Sequence, residues 1–168
     1  MSDQRDGEPL GPRPTAPARL RTIEAAATAG IVHAALALVA LWILTDVPNI
    51  DATEAQIVAY YEGETLGYQG LLLRVLSILA FLWFIAVIRD RIGVREPRFF
   101  GTVFFGGAVL HAGIVLVAAA AFAAPSILVE RGGQMPDPGA AAMLAAVAEG
   151  LSNDVAPRVA SLIVLATG

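Results

Sequence analysis

Apolar positions in this chain neither alternate nor recur on one face; they run on. Residues 71–88 hold a single charge, Arg74, and residues 99–124 hold none. Together with an earlier run over residues 25–45, these stretches are each long enough to cross a hydrocarbon core of about 30 Å, which takes roughly 20 helical residues. A soluble domain has no need of uninterrupted apolar runs of this kind. Between the second and third runs Arg89, Arg91, Arg95 and Arg98 outnumber Asp90 and Glu96. Short arginine-rich connections are retained in the cytoplasm, so the pattern predicts a helical hairpin whose turn faces inward. That orientation fixes the rest of the chain.

Residues 1–22, with Pro9, Pro12, Pro14 and Pro17, read as a disordered cytoplasmic tail. The run after it is longer than the core of a cleavable signal peptide and is read as a retained first span. Arg5, Arg13, Arg19 and Arg21 precede it and place the amino terminus in the cytoplasm. Trp42 then falls near the outer interface. Residues 46–67 hold Asp46, Asp51, Glu54, Glu62 and Glu64 and no Arg, as an outer loop should. Asp51 and Glu54 have capping-box spacing ahead of Ile57, Val58 and Tyr61, which predicts a short helix lying on the outer surface. Its Tyr60 and Tyr61, with Tyr68, would place their rings at headgroup level. A cation-binding role for this acidic loop is the alternative to a solvated face, although the spacing is not that of a calcium loop.

Pro125 is expected to end the third span, and residues 130–139 form a turn-rich segment. A second surface helix is predicted over 140–151, followed by a new helix capped by Asn153 or Asp154 with Pro157 in its first turn. That fourth helix, residues 155–168, covers only about 21 Å. An ending there would leave unpaired carbonyls in hydrocarbon, so the reading frame is expected to continue. The fold class expected is all-α: an integral membrane helical bundle of three complete transmembrane helices plus an incomplete fourth, with short outer-surface helices, over residues 23–168.

Composition agrees, with 57% hydrophobic residues, 15% charged and a mean hydropathy of +0.67. The net charge of -4 does not alter the orientation, which follows the arginines. Nucleic-acid binding has no support. All 11 cationic side chains are Arg, which reflects base composition more than function, although Arg suits phosphate headgroups. Cysteine is absent, which excludes disulfides, thiol catalysis and thiolate metal sites.

The layout is familiar at this point: an Arg-flanked span, the loop stretch PNIDATEAQIVAYYEG, a second span, the turn RDRIGVREPRFF and a glycine-rich third span. It resembles uncharacterised multi-pass membrane proteins of high-GC bacteria that are classed as domains of unknown function. The resemblance implies about six spans and further helices beyond Gly168. It carries no catalytic residues.

Three ionisable residues fall inside the three complete predicted spans: Arg74, His33 and His111. An intramembrane ionisable group is a functional candidate by default. Arg74 lies about one turn inside its helix, where it either snorkels to the interface or lines a polar pathway. The two histidines are candidate cofactor ligands, because bis-histidine haem needs imidazoles on facing helices, and imidazoles also relay protons. The alternative for each is a neutral ring bonded to the backbone or hydroxyl of a neighbouring helix. Ala26, Gly30 and Ala34 on the first span, and Gly106, Gly107, Ala108 and Ala112 on the third, give close-packing faces, so these two helices are expected to touch with His33 near His111. The same small-residue faces suit a homo- or hetero-oligomer in the lipid bilayer. Ser77, Thr28, Thr45 and Thr102 are too scattered for a nucleophile site, and no nucleotide, zinc or hydrolase motif is present.

Three classes of function follow. The first is a structural or accessory membrane protein, localised to the bacterial cell membrane and without catalysis. The second is part of a secondary transporter, for which Gly106 and Gly107 are the only hint of a broken helix. The third is a haem membrane redox protein.

Overall fold

The computed structural model describes residues 16–45, 48, 51–63, 66–92, 98–134 and 137–165. Among them there are only helices: α1 (Ala16–Thr45), α2 (Glu54–Glu62), α3 (Gly67–Ile92), α4 (Arg98–Glu130), α5 (Pro138–Glu149) and α6 (Ala156–Leu165), with a π-helical turn, Gly150–Val155, joining the last two. The stretches Glu24–Ile43, Gly67–Asp90 and Phe99–Glu130 are long and apolar enough to cross a membrane. The all-α bundle is therefore present, with three membrane-capable helices.

Helix α1 begins at Ala16, inside the stretch expected to be a tail. Pro17 sits in the first turn, where its missing N–H has no partner to lose, and Ala, Leu and Arg are good helix formers. The tail's remaining residues, 1–15, the centre of the arginine-rich turn and residues 166–168 lie outside the described residues.

The bundle is sequential. Helix α1 packs on α3, α3 on α4, and α4 on α5, the π turn and α6. The expected pairing of the first span with the third is not found, because α1 makes no substantial contact with α4. Gly30 faces the Phe84 ring of α3, which a Cβ at position 30 would meet at 3.4 Å, and Gly107 faces Ile163 of α6, which a Cβ at position 107 would meet at 3.1 Å. Each small residue does admit a close neighbour, but the neighbour is a side chain of a different helix. Spacing marks a face without naming what lies across it.

At one end of the bundle α2 and the start of α5 pack on the end of α4. Ile57, Tyr61 and Ala141 are buried there, with Tyr60 and Val129 against them. The cap of α2 is Thr53, whose hydroxyl accepts from the Gln56 N–H while the Gln56 side chain accepts from the Thr53 N–H. This reciprocal box replaces the expected Asp51 and Glu54 pair, because Gln56 stands at the third helical position and Glu54 at the first. Tyr61 is only 3% exposed, so it belongs to this small core and not to a headgroup layer. Tyr60 meets it edge-on at 4.9 Å.

Helix α4 runs uninterrupted through Gly106 and Gly107 and passes Pro125 by five residues. Pro125 was expected to end it. A proline removes one backbone bond and crowds the carbonyl four residues earlier, and in a helix packed on its neighbours that is tolerated.

Candidate functional site

His33 and Ser77 clasp α1 to α3. The imidazole Nδ1 is 2.9 Å from the Ser77 carbonyl oxygen and 2.8 Å from Ser77 Oγ, and Ser77 Oγ is 3.2 Å from the His33 carbonyl oxygen. A carbonyl can only accept, so Nδ1 carries the proton and shares it between the two Ser77 oxygens. The Ser77 hydroxyl is then left to donate to the His33 carbonyl. Each side chain thus bonds the other residue's backbone. Ser77 is completely buried, which suits this role and bars it from acting as a nucleophile on a substrate.

His111 makes the corresponding bond between α4 and α6, with Nδ1 3.1 Å from the Ala156 carbonyl oxygen. The same reasoning places its proton on Nδ1. Phe81 of α3 touches both rings, with centroids 5.1 Å from His33 and 5.9 Å from His111. The two histidines therefore approach opposite partners and share one phenyl ring. A bis-histidine haem requires two imidazoles on facing helices with a slot between them. Here α3 packs on both histidine-bearing helices and its Phe81 lies against both rings, so these residues do not fit that group.

The carbonyl that His111 bonds has a particular setting. On the last helical stretch Ala141, Ala148 and Ala156 are buried, and Ile163 packs against the Phe104 and Ala108 cluster of α4. Their spacings are seven, eight and seven residues. At about 100° per residue, seven residues return to the same face within roughly 20°, whereas eight overshoot it by roughly 80°. A regular α-helix would therefore turn either Ala148 or Ala156 away from α4. The π turn absorbs the additional residue: the Ala156 N–H reaches back to the Leu151 carbonyl, and both halves keep their small faces on α4. Pro157 follows directly, and because it has no N–H it adds nothing to an α-helical ladder there. The expected break with an Asn153 or Asp154 cap is replaced by one continuous helical path over 138–165.

Two further contacts tie α3 to α4. Gly67, at the start of α3, lies against Ser126 and Ala123, so closely that a methyl group there would overlap Ser126. At the other end the Arg89 guanidinium stacks over Phe105, 4.9 Å from its centroid. Arg74 is half-buried on α3 and joins no ion pair among the described residues. On α2, Glu54 and Glu62 border a shallow depression at the surface. No group of three His, Asp or Glu side chains converges among the described residues.

Ser77, Phe81 and Ser126 carry these joints, and nothing in the sequence singles them out, since a lone serine or phenylalanine in an apolar run is unremarkable. The seven, eight, seven spacing is the exception: it is legible once residues 138–165 are read as one helix. No family model, curated protein or solved structure matches the chain.

Proposed function

We propose that this chain is a multi-pass integral membrane protein with a structural or accessory role and no catalytic centre of its own. The observation that carries the reading is where the polar side chains of the long helices go. His33, Ser77 and His111 all bond backbone carbonyls of the adjacent helix, which joins α1 to α3 and α4 to α6. In lipid, where apolar burial gives helices no reason to associate, close packing and such bonds are what hold a bundle together. The same side chains, were they machinery for a substrate, would face a shared cavity. The amino terminus and the arginine-rich turn are assigned to the cytoplasm, and α2 with the start of α5 to the outer face of a bacterial cell membrane.

Single cysteines test topology and membrane integration together, since the chain has none of its own. Thr53→Cys and Gln134→Cys should react with an impermeant maleimide in intact cells, and Ser2→Cys and Val94→Cys only after permeabilisation. Reaction of V94C in intact cells would reverse the orientation. Release of the protein by alkaline carbonate would refute membrane integration. The structural role predicts that His33→Ala and His111→Ala lower the yield of folded protein in proportion to each other's joint, with no spectral or substrate-dependent signal lost.

A further inference from the structure

Contacts between the helices set their relative depth. Gly67 meets Ser126 at one end of the α3 and α4 pair, and Arg89 meets Phe105 at the other. From Phe105 to Ser126 an α-helix rises about 32 Å, close to the roughly 30 Å of a hydrocarbon core, so the Arg89 end coincides with one edge of that core. Helix α1 reaches the same level. It runs antiparallel to α3, since His33 bonds Ser77 and Gly30 faces Phe84. Twelve residues, about 18 Å, separate His33 from Arg21 and Ser77 from Arg89, which puts the two arginines at one depth.

Three helices thus bring arginine to one end of the bundle: Arg19 and Arg21 near the start of α1, Arg89 and Arg91 in the last turn of α3, and Arg98 at the start of α4. Among the described residues only Glu24 and Asp90 stand against them at this level. The opposite end has the opposite sign, with Asp51, Glu54, Glu62, Glu130 and Asp137 around Arg131.

The Arg89 side chain shows what the arginine end can hold. It is exposed, its guanidinium lies over the Phe105 ring, and it joins no hydrogen bond or ion pair among the described residues. Stacking uses one face of the planar group and leaves the N–H edge open. That edge stands where hydrocarbon gives way to headgroups, and its fork matches two phosphate oxygens. The free N–H groups in the first turn of α4 lie about 6 to 10 Å further out, and they too favour an anion in that layer. On the core side of Arg89, one turn away on the same face, Ala86 is exposed and offers apolar surface to an acyl chain.

We propose that this end of the bundle binds the phosphate of an anionic phospholipid, with Arg89 as the anchoring donor and the arginines of α1 and α4 supplying the surrounding positive field. A zwitterionic headgroup brings an ammonium that this field repels; an anionic one does not. The depth of Arg89 favours a lipid over a soluble phosphate, because the bound phosphate then stands at the level where lipid phosphates already lie. The proposal rests on the membrane reading above, and under that orientation the lipid belongs to the inner leaflet.

The test places a single indole beside the site. The full chain carrying Trp42→Phe, Trp83→Phe and Ala86→Trp is reconstituted in phosphatidylcholine vesicles, with acyl-brominated phosphatidylglycerol or acyl-brominated phosphatidylcholine added at equal mole fraction. Each arginine near a membrane surface strengthens attraction to anionic lipid about fivefold, so quenching at residue 86 should show at least a fivefold preference for phosphatidylglycerol. Arg89→Gln should lower that preference about fivefold, Arg89→Lys should retain part of it, and Arg131→Gln at the other end should leave it unchanged. Native Trp42, read alone in a Trp83→Phe chain, should show no preference. Equal quenching of residue 86 by the two lipids, or a preference that survives Arg89→Gln, would overturn the proposal. Abolition of the preference by inorganic phosphate at constant ionic strength would also overturn it and assign the site to a soluble anion. A protein that does not stay with the vesicles at alkaline pH would instead refute the membrane reading itself.

Discussion

Gly67→Ala is the most discriminating single change for the way α3 meets α4. A Cβ built on Gly67 would stand 2.6 Å from Ser126 Cβ, nearer still to its Oγ, and 3.7 Å from Ala123 Cα. Carbon atoms in good contact are about 3.5 to 4.0 Å apart, so the overlap is roughly 1 Å. Ser126 is completely buried and its Cβ is fixed to the helix, so only separation of the two helix ends relieves it. Overpacking of this kind costs about 1 to 3 kcal/mol. The partner substitutions divide the contact into its atoms. Ser126→Ala keeps the offending Cβ and should leave most of the penalty in place. Ser126→Gly removes it, and despite about 1 kcal/mol of lost helix propensity should show a favourable coupling with Gly67→Ala of at least 1 kcal/mol. Ser126→Ala alone should be neutral or stabilising, since its buried hydroxyl has no hydrogen-bond partner among the described residues and deleting it strands nothing there. Reversible unfolding in mixed micelles, followed through Trp42 and Trp83, gives all four corners of the cycle. A neutral Gly67→Ala, or rescue by alanine as complete as rescue by glycine, would refute the packing described.

The histidine clasp predicts an unequal pair. Ser77→Ala deletes both contacts of Oγ, the 3.2 Å bond to the His33 carbonyl and the 2.8 Å share of the Nδ1 proton, but keeps the 2.9 Å bond from His33 to the residue 77 carbonyl, so it should cost about 0.6 kcal/mol in the same assay, and His33→Ala should cost about 1 to 2 kcal/mol; equal losses would mean that the backbone bond contributes nothing. The Tyr61 phenol is pushed up to about 12, first by burial and second by Tyr60 beside it. An unfolded tyrosine ionises near pH 10, so the folded protein keeps a proton that the unfolded chain releases, and the contribution of Tyr61 to stability should be constant below pH 10 and fall as pH rises from 10 to 12. Tyrosinate absorbance should show one late-titrating ring that Tyr61→Phe abolishes, and an unchanged titration in that variant would disprove the burial argument.

What could be read ahead of the structure and what could not divide along a physical line. Span length and the absence of charge are properties of consecutive residues, so 71–88 and 99–124 announce helices α3 and α4 directly. The same holds for the helix over Ile57 and Tyr61, although its cap shifted from Asp51 to Thr53 because the start of a helix is decided by single hydrogen bonds. Breaks were overestimated. Pro125 and the polar run from Ser152 to Asp154 look like terminators in isolation, yet the helical path continues through both, since packing on a neighbouring helix outweighs the loss of one backbone bond.

The candidate residues show the same division more sharply. That His33 and His111 lie within apolar stretches follows from the sequence alone, because the cost of a polar group in such a stretch makes it conspicuous wherever the chain goes. Whether they meet each other or bond Ser77 and Ala156 depends on the order in which helices pack, and small-residue spacing is equally compatible with several orders. Local pattern is enough to specify a helical, membrane-capable chain, because each helix satisfies its own backbone. That α3 stands beside both α1 and α4, that Gly67 must be small, and that a π turn keeps Ala148 and Ala156 facing α4 emerges from the packed bundle alone, because those are contacts between residues tens of positions apart.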